Sequence, residues 1–278
     1  MAAALRRLRG ARIHEIGRSV EQTPILAASI GSDSARTVSV VIAGLHAIEW
    51  IGVETALALA ERLVGAPPGD RRVIVVALAN PDGYRAIESD LWSGRRRFRR
   101  TNANGVDLNR NWPTAFFARR KWMSGFNWPG PAPCSEPEVA AIVRTLDAEI
   151  AGGARVETAL SLHSFGRKLL VPYGARWKRP PRYRELHERA RQVQARLVER
   201  YSIDQVSRWV PGAFAYGMEI DDLHDRYGAR ALLVECSLGG LSFDPSTWLA
   251  PFHWFNPRRP SLVATDIARA VEPFVRGA

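Results

Sequence analysis

The chain has 278 residues, of which 46% are hydrophobic and 24% are charged, as in an ordinary soluble globular protein. No apolar run reaches the roughly 18 residues needed to span a bilayer. The arginine-containing N-terminus also lacks the apolar core of a secretory signal. We therefore expect a cytoplasmic protein that has no membrane partner.

The net charge of +11 would suit binding to nucleic acid, to an anionic surface or to an acidic substrate. However, the densest basic cluster, at 95–100, is short, and no helix-turn-helix, zinc-knuckle or aromatic RNA-binding pattern accompanies it. We interpret the excess arginine as solubilising and expect no nucleic-acid partner. Without a secretory signal, Cys134 and Cys236 are predicted to be free thiols.

The first predicted elements alternate between strands and a helix. Residues 1–20 form a basic lead-in, flexible over 1–12, and a strand is predicted at 24–29. The β-branched run 38–42 then feeds a helix that extends to Leu63, and a buried strand follows at 72–79. Buried strands separated by a helix are typical of α/β folds.

The second half continues this alternation after a long irregular stretch. Residues 85–134 have weak periodicity and many Asn, Gly and Pro residues, which indicates a functional surface rather than an idle loop. The remaining predictions are helices at 135–150, 180–201 and 260–274, strands at 156–162 and 230–234, and an extended segment at 168–173. We predict a single domain over 1–278, an α/β fold with a mixed, largely parallel sheet flanked by helices.

Polar residues follow the ends of the predicted strands. His46 and Glu49 come after the first strand of the βαβ unit, the third strand ends at His163, and the last ends at Glu235. In open α/β sheets, ligands bind outside the carboxyl ends of the strands. These four residues are therefore predicted to meet at one edge of the sheet.

Two histidines and one carboxylate leave a fourth zinc position open for water, as in hydrolytic zinc sites. A further carboxylate must then accept the proton of that water, and Glu235 fits this role because its strand is apolar. The simpler alternatives are a hydrogen-bonded His163 under a loop and a Glu235 paired with an arginine. His46 and Glu49 alone are weak evidence, because an HxxE pattern is common by chance.

The segment RRTNANGVDLNRNW, at 99–112, is the strongest local signal. Asn109 and Arg110 lie in this turn-rich segment, where an arginine can hold a carboxylate through a bidentate fork. The alternative is an Asn/Asp turn that carries a solvated arginine.

Taken together, these motifs make the sequence resemble a zinc carboxypeptidase of the carboxypeptidase A type. The matching pieces lie in the order of that family and cover about residues 13–236. They are IGRSVEQTPI (16–25), GLHAIEW (44–50), NPDGY (80–84), GVDLNRNW (105–112), SEPE (135–138), SLHSFG with VPYG (161–174) and LLVEC (232–236).

The resemblance implies a zinc-dependent peptidase with one zinc per chain. His46, Glu49 and His163 would bind the zinc. Glu235 would act as the general base and then as the acid.

The resemblance also implies how a substrate is held. Asn109 and Arg110 would bind its C-terminal carboxylate. Arg99 matches the arginine that stabilises the oxyanion, with Arg100 as a one-residue alternative. Phe214 lies near the position expected to form the floor of the specificity pocket, which favours apolar or aromatic side chains, whereas the acidic run 219–222 would favour basic ones.

Two positions depart from the family pattern. Ile48 stands where the family often has an arginine within HxxE, so one substrate contact is missing. The active-site tyrosine is expected a few residues before a turn that here resembles 211–213, but the nearest aromatic residue there is Trp209, and Tyr216 follows the turn. The tyrosine role is therefore left open.

The leading interpretation is a zinc carboxypeptidase that acts on short peptides with a free terminal carboxylate. The second is a zinc amidase that releases acyl amino acids or cell-wall peptides by the same chemistry. A third, non-enzymatic interpretation is a basic nucleic-acid-binding protein on an inactive hydrolase fold. The sequence leaves the oligomeric state open.

Overall fold

The structure is a computed structural model that describes residues 2–209, 212–240 and 245–278. Its described part contains an eight-stranded sheet with the strand order β1-β2-β4-β3-β5-β8-β6-β7. The strands are β1 (Arg12–Arg18), β2 (Pro24–Gly31), β3 (Thr37–Ala43), β4 (Arg72–Val76), β5 (Arg155–His163), β6 (Lys168–Val171), β7 (Ser202–Gln205) and β8 (Arg230–Glu235).

Helices cover both faces of the sheet. Within the described ranges they are α1 (Ala2–Arg6), α2 (Trp50–Gly65), α3 (Pro81–Trp92), α4 (Lys121–Ser124), α5 (Pro137–Ala151), α6 (Tyr183–Gln194), α7 (Val206–Trp209), α8 (Glu219–Asp225), α9 (Pro245–Trp248), α10 (Pro251–Phe255) and α11 (Pro260–Val275). In the part of the chain that is described, no helix is long and apolar enough to cross a membrane.

The sheet confirms the predicted mixed, mostly parallel α/β architecture in a single domain. The four central strands β4, β3, β5 and β8 are parallel, whereas β1–β2, β2–β4 and β6–β8 pair antiparallel. Alternate side chains of β3 enter two separate cores, because neighbouring residues of a strand point to opposite faces. Val41 and Ala43 pack under α2, α6 and α11, while Val40 and Ile42 pack under α5 and α8.

The N-terminal lead-in is more ordered than the sequence predicted. The segment predicted to be flexible contains α1 and the start of β1, and Leu5 and Leu8 are buried in the core under α2. β1 pairs with β2 at the edge of the sheet and packs against α5. Its residues, RIHEIGR, do not alternate regularly between apolar and polar, and the sequence therefore predicted no strand here.

The stretch 85–134 also begins with regular structure that the sequence reading missed. Asn80 does not simply end a strand, because its side chain accepts a hydrogen bond from the Gly83 backbone N–H and thereby caps α3. Pro81 is favourable at the first position of that helix, because its fixed φ suits the helix and its missing N–H would have had no partner within the helix. The helix predicted at 180–201 is shorter and ends at Gln194.

A close approach between α2 and β5 brings the two halves of the candidate site together. A Cβ atom on Gly52 would lie 2.6 Å from the Leu162 carbonyl oxygen, so only glycine allows this separation. Glu49 directly precedes α2, and His163 ends β5. The glycine therefore lets the helix lie against the strand that carries the second histidine.

Candidate active site and metal centre

The structure brings the four strand-end residues together, as the topology predicted. β3 ends at Ala43, and the turn that follows carries His46 and Glu49 into α2. In the parallel pairing of β5 with β8, His163 lies directly opposite Glu235. All four side chains line one cavity at the carboxyl edge of the sheet.

His46, Glu49 and His163 form a compact, buried cluster. The two Nδ1 atoms lie 3.1 Å apart, and each is in contact with one carboxylate oxygen of Glu49, at 2.8 Å for His46 and 2.9 Å for His163. One ligand atom from each of the three residues lies within 4.8 Å of the others. Such a group could hold one metal ion, and two histidines with a carboxylate form a known zinc ligand set.

The far side of each histidine supports this assignment. His46 Nε2 lies 3.0 Å from Asp107 Oδ1, and His163 Nε2 lies 2.8 Å from Glu219 Oε1. A carboxylate that accepts the Nε2 proton leaves the Nδ1 lone pair free for a metal. With Nε2 protonated, both Nδ1 lone pairs point at the same spot, and a shared cation is the simplest way to satisfy them.

The charges around the cluster keep two carboxylates of the site ionised. Burial alone would raise the pKa of Glu49, but His46 and His163 hold this pKa below its usual range. Burial would likewise raise the pKa of Asp107, but Arg100 in particular holds it well below the ordinary value. Both carboxylates are therefore ionised at neutral pH.

Glu235 is the carboxylate beside the cluster that is not committed to it. Burial, followed by the negative charge of Glu49, raises the pKa of Glu235 to about 8. Its Oε2 atom is buried and has no hydrogen-bond partner among the described residues, and the side chain lines the cavity. A carboxylate of raised pKa with a free oxygen can both accept and return a proton near neutral pH.

The structure distinguishes the two arginines that the sequence left as alternatives. Arg100 lines the cavity, and its Nε donates to Asp107 Oδ2 at 2.8 Å. Its Nη1 lies 3.7 Å from Glu49. Arg99 instead donates to Asp90, which also pairs with Arg95, and it is not among the described residues that line the cavity. The placement favours Arg100 as the arginine beside the reacting atoms, although its role stays a prediction.

Asn109 and Arg110 both line the same cavity. Asn109 is buried, and its Oδ1 accepts a hydrogen bond from the Glu219 backbone N–H at 3.1 Å. The Arg110 guanidinium donates only to the carbonyl of Asn109 among the described residues, and no described carboxylate forms an ion pair with it. Its donors are therefore available to an anionic group in the cavity.

A second close backbone approach fixes this loop. Gly217 has a φ of +63°, and a Cβ atom there would lie 2.2 Å from the Arg110 carbonyl oxygen. The Trp112 backbone N–H also donates to the Gly217 carbonyl at 3.1 Å. Glycine is needed here because it adopts positive φ and leaves room for a neighbouring backbone.

The cavity has a volume of about 470 Å³. Three apolar side chains, Leu170, Val206 and Met218, line part of it, and Phe214, which is 39% exposed, is also a lining residue. Trp209 and Tyr216 line it too, so both aromatic candidates for the missing tyrosine lie at the cavity. The first residue of the predicted turn at 211–213 lies outside the described residues.

The acidic run at 219–222 does not supply the cavity with free negative charge. Glu219 contacts His163, Asp221 accepts the backbone N–H groups of Gly174 and Ala175, and Asp222 accepts from Thr114. None of these carboxylates is among the described residues that line the cavity. Recognition of a basic side chain by this run is therefore not supported by the structure.

Asp107 and Glu219 were missed as partners of the metal ligands. Asp107 lies in the GVDLNRNW motif, two residues before Asn109, and its place there was the only available signal. Glu219 is distant in sequence from His163, and only the packing of α8 against β5 brings the two together. Contacts of this kind have no local sequence pattern.

The fold and the site together define an α/β domain in which the described residues form one cluster that could hold a metal ion, at the carboxyl edge of the sheet. A comparison with protein families matches residues 6–224 to the family described as zinc carboxypeptidase. The chain belongs to this family.

Carboxypeptidases A are among its relatives. The chain is 30% identical to carboxypeptidase A5 from Homo sapiens over 207 residues, which are 69% of this chain and 47% of that protein. It is 29% identical to carboxypeptidase A2 from Mus musculus over 192 residues, 64% of this chain and 45% of that protein. The matches span about half the length of these relatives.

Solved structures show the same fold. Carboxypeptidase A from Helicoverpa armigera superposes with a TM-score of 0.79 at 22% identity, covering 99% of this chain and 72% of that one. The murein-tripeptide amidase from Escherichia coli O157 superposes with a TM-score of 0.54 at 21% identity, covering 91% of each chain.

Proposed function

We propose that this protein is a zinc-dependent carboxypeptidase that removes the last residue of short peptides. One observation carries the proposal: the candidate metal cluster, the carboxylate of Glu235 and the guanidinium of Arg110, which forms no ion pair with a described carboxylate, line a single cavity. A hydrolase that acts next to a free terminus needs these three parts within one substrate residue of each other.

His46, Glu49 and His163 would hold the zinc. A bound zinc ion polarises a carbonyl and lowers the pKa of a bound water toward roughly 7. Glu235 would accept the proton of the attacking water and then deliver it to the leaving amine. Its raised pKa suits both steps, because a general base works best when its pKa lies near the working pH.

Arg100 would stabilise the negative charge that develops on the carbonyl oxygen. It lies within 3.7 Å of the ligand Glu49, and its side chain is 18% exposed. Ion pairing with Asp107 fixes the guanidinium before substrate binds. A donor that is already oriented contributes to the transition state without further reorganisation.

Asn109 and Arg110 would recognise the terminal carboxylate. The arginine fork matches the two carboxylate oxygens, and charged hydrogen bonds of this kind contribute about 1.5–3 kcal/mol. The side chain of the terminal residue would enter the part of the cavity lined by Leu170, Val206 and Met218. We therefore expect a preference for apolar terminal residues.

A zinc amidase that acts on cell-wall peptides or acyl amino acids is the second candidate. It is favoured by one observation: the fold of the murein-tripeptide amidase superposes on this chain with a TM-score of 0.54 over 91% of each chain. The same metal centre and the same general base would serve both reactions. Action in the cytoplasm stays a prediction.

The test compares matched peptides that end in a free carboxylate or in an amide, each with an apolar last residue. The proposal predicts that the free peptide is cleaved much faster, because only it can engage Arg110. Arg110→Ala should lower kcat/KM for the free peptide by roughly 10- to 150-fold and should change the amide little. If the wild type cleaved both peptides equally well and cleaved a muropeptide faster than either, the carboxypeptidase proposal would be wrong and the amidase proposal would take its place.

A further inference from the structure

Glu219 occupies an unusual position behind the metal centre. Its Oε1 atom accepts hydrogen bonds from His163 Nε2 at 2.8 Å and from the Ser161 hydroxyl at 2.5 Å. The side chain is fully buried, and within the described part of the chain its Oε2 atom has no hydrogen-bond partner. A buried carboxylate with one unpaired oxygen is costly, so its retention calls for a specific role.

The two carboxylates behind the histidines differ in how their charge is balanced. Asp107, behind His46, forms an ion pair with Arg100 at 2.8 Å. Among the described residues, the only ion pair of Glu219 is with His163. No arginine or lysine within the described ranges forms a direct ion pair with Glu219, so its closest cationic partner is the ring of His163.

Glu219 also connects the metal centre to the substrate site. Its backbone N–H donates to Asn109 Oδ1 at 3.1 Å, which orients the amide so that its Nδ2 atom lies 3.3 Å from His163 Nε2. The Asn109 amide nitrogen is a donor, so it cannot serve as the acceptor for the His163 proton. The Glu219 carboxylate is then the group that accepts this proton and selects the ring tautomer.

We propose that Glu219 is a positioning residue that fixes the tautomer and orientation of His163 and thereby strengthens zinc binding. This inference rests on the proposed function only in taking zinc as the metal. A carboxylate behind a ligand histidine orients the ring and increases the basicity of its metal-binding nitrogen. Glu219 therefore acts on the metal through His163 and does not touch the substrate.

The test measures the zinc dissociation constant by competition with a chromophoric chelator, in the absence of substrate. Glu219→Gln keeps the size of the side chain but removes its charge. Loss of such an outer partner typically weakens metal binding by roughly 10- to 100-fold, and we expect this range for Glu219→Gln. A dissociation constant equal to that of the wild type would overturn the inference.

Asp222→Asn is the matched control. Asp222 is buried on the same helix α8, but it accepts hydrogen bonds from Thr114 and contacts neither histidine. Its substitution should leave zinc affinity unchanged. An equal loss of zinc affinity in Asp222→Asn would show that any change in α8 disturbs the site, and this result would also overturn the specific role of Glu219.

A second measurement needs no variant. In zinc-loaded wild-type protein labelled with ¹⁵N-histidine, NMR should show that the His163 ring carries its proton on Nε2 and binds metal through Nδ1. A proton on Nδ1 would contradict the role of Glu219 even if Glu219→Gln did not fold. Both measurements are made without hydrolysis, so their outcome is separate from that of the carboxypeptidase proposal.

Discussion

The two adjacent arginines, Arg99 and Arg100, allow a sharp test of the catalytic geometry. Both carry the same side chain, and both are held by a buried aspartate, Asp90 for Arg99 and Asp107 for Arg100. Only Arg100 lines the cavity. Replacing each in turn by alanine therefore separates a role at the reacting carbonyl from a role in holding the loop.

The two substitutions are expected to have different effects on kcat and on stability. Removing one preorganised oxyanion donor costs about 10²–10³ in kcat, so Arg100→Ala should lose activity by that factor. It should also destabilise the fold by about 3–5 kcal/mol, because the fully buried Asp107 would lose its cation. Arg99 has a side chain that is 36% exposed, and Asp90 keeps Arg95 as a partner. Arg99→Ala should therefore cost about 0–1 kcal/mol in stability and leave kcat unchanged.

The assay measures kcat at saturating substrate and saturating zinc, so that a weaker metal site does not imitate a catalytic loss. Unfolding by urea gives the stability of each variant. If Arg99→Ala lost more kcat than Arg100→Ala, the placement of Arg100 beside the carbonyl would be wrong. The same would hold if Arg100→Ala were as active as the wild type.

Three further predictions concern two titratable carboxylates, Glu235 and Asp221. Glu235→Gln should lower kcat by roughly 10²–10⁴ while zinc stays bound, and near-normal kcat would show that another group carries the proton. In the wild type, kcat/KM should decrease as the pH is lowered, because protonation of Glu235 removes the general base. The apparent pKa of this decrease should lie above the ordinary 4.5 and below about 8, since bound zinc lowers the raised pKa of Glu235. An apparent pKa below 4.5 would contradict this prediction. Burial raises the pKa of Asp221 from 3.8 to about 7 despite the N–H groups of Ala175 and Gly174. The contribution of the protonated Asp221 to the free energy of unfolding is therefore complete below pH 3.8 and is lost as the pH rises through about 7. Urea unfolding measured between these two pH values should show this loss in the wild type, and Asp221→Asn should remove it.

The sequence predicted that the candidate metal ligands would lie together, because their positions follow from topology. The ends of β3, β5 and β8 must lie at one edge of a parallel sheet, so residues that follow those strands must meet there. The pairing of His163 opposite Glu235 is a direct consequence of this arrangement. The apolar runs identified the central strands, and the ends of those strands were enough to predict which polar residues would lie near one another.

Other features depended on contacts between distant segments. The position of Arg100 at the cavity depends on such contacts: a backbone hydrogen bond from the Ala47 N–H to the Arg100 carbonyl ties the arginine loop to the turn that carries His46. Glu219 reaches His163 because α8 packs against β5. Neither contact leaves a periodic or compositional pattern in the sequence.

The N-terminal segment shows a different limit. β1 is an edge strand whose burial is irregular, and a register shift occurs between Glu15 and Gly17. A strand with such an irregularity does not alternate cleanly between apolar and polar residues. β1 is stabilised by its pairing with β2 rather than by the strand propensity of its own residues.

The most direct test of the central claim is mass spectrometry of one peptide with a free, apolar C-terminus. The account predicts a product that is shorter by its last residue. A zinc chelator should abolish its formation, and about one equivalent of zinc per chain should restore it. Cleavage at an internal bond would contradict the claim, and so would undiminished cleavage by a His46→Ala, His163→Ala double variant.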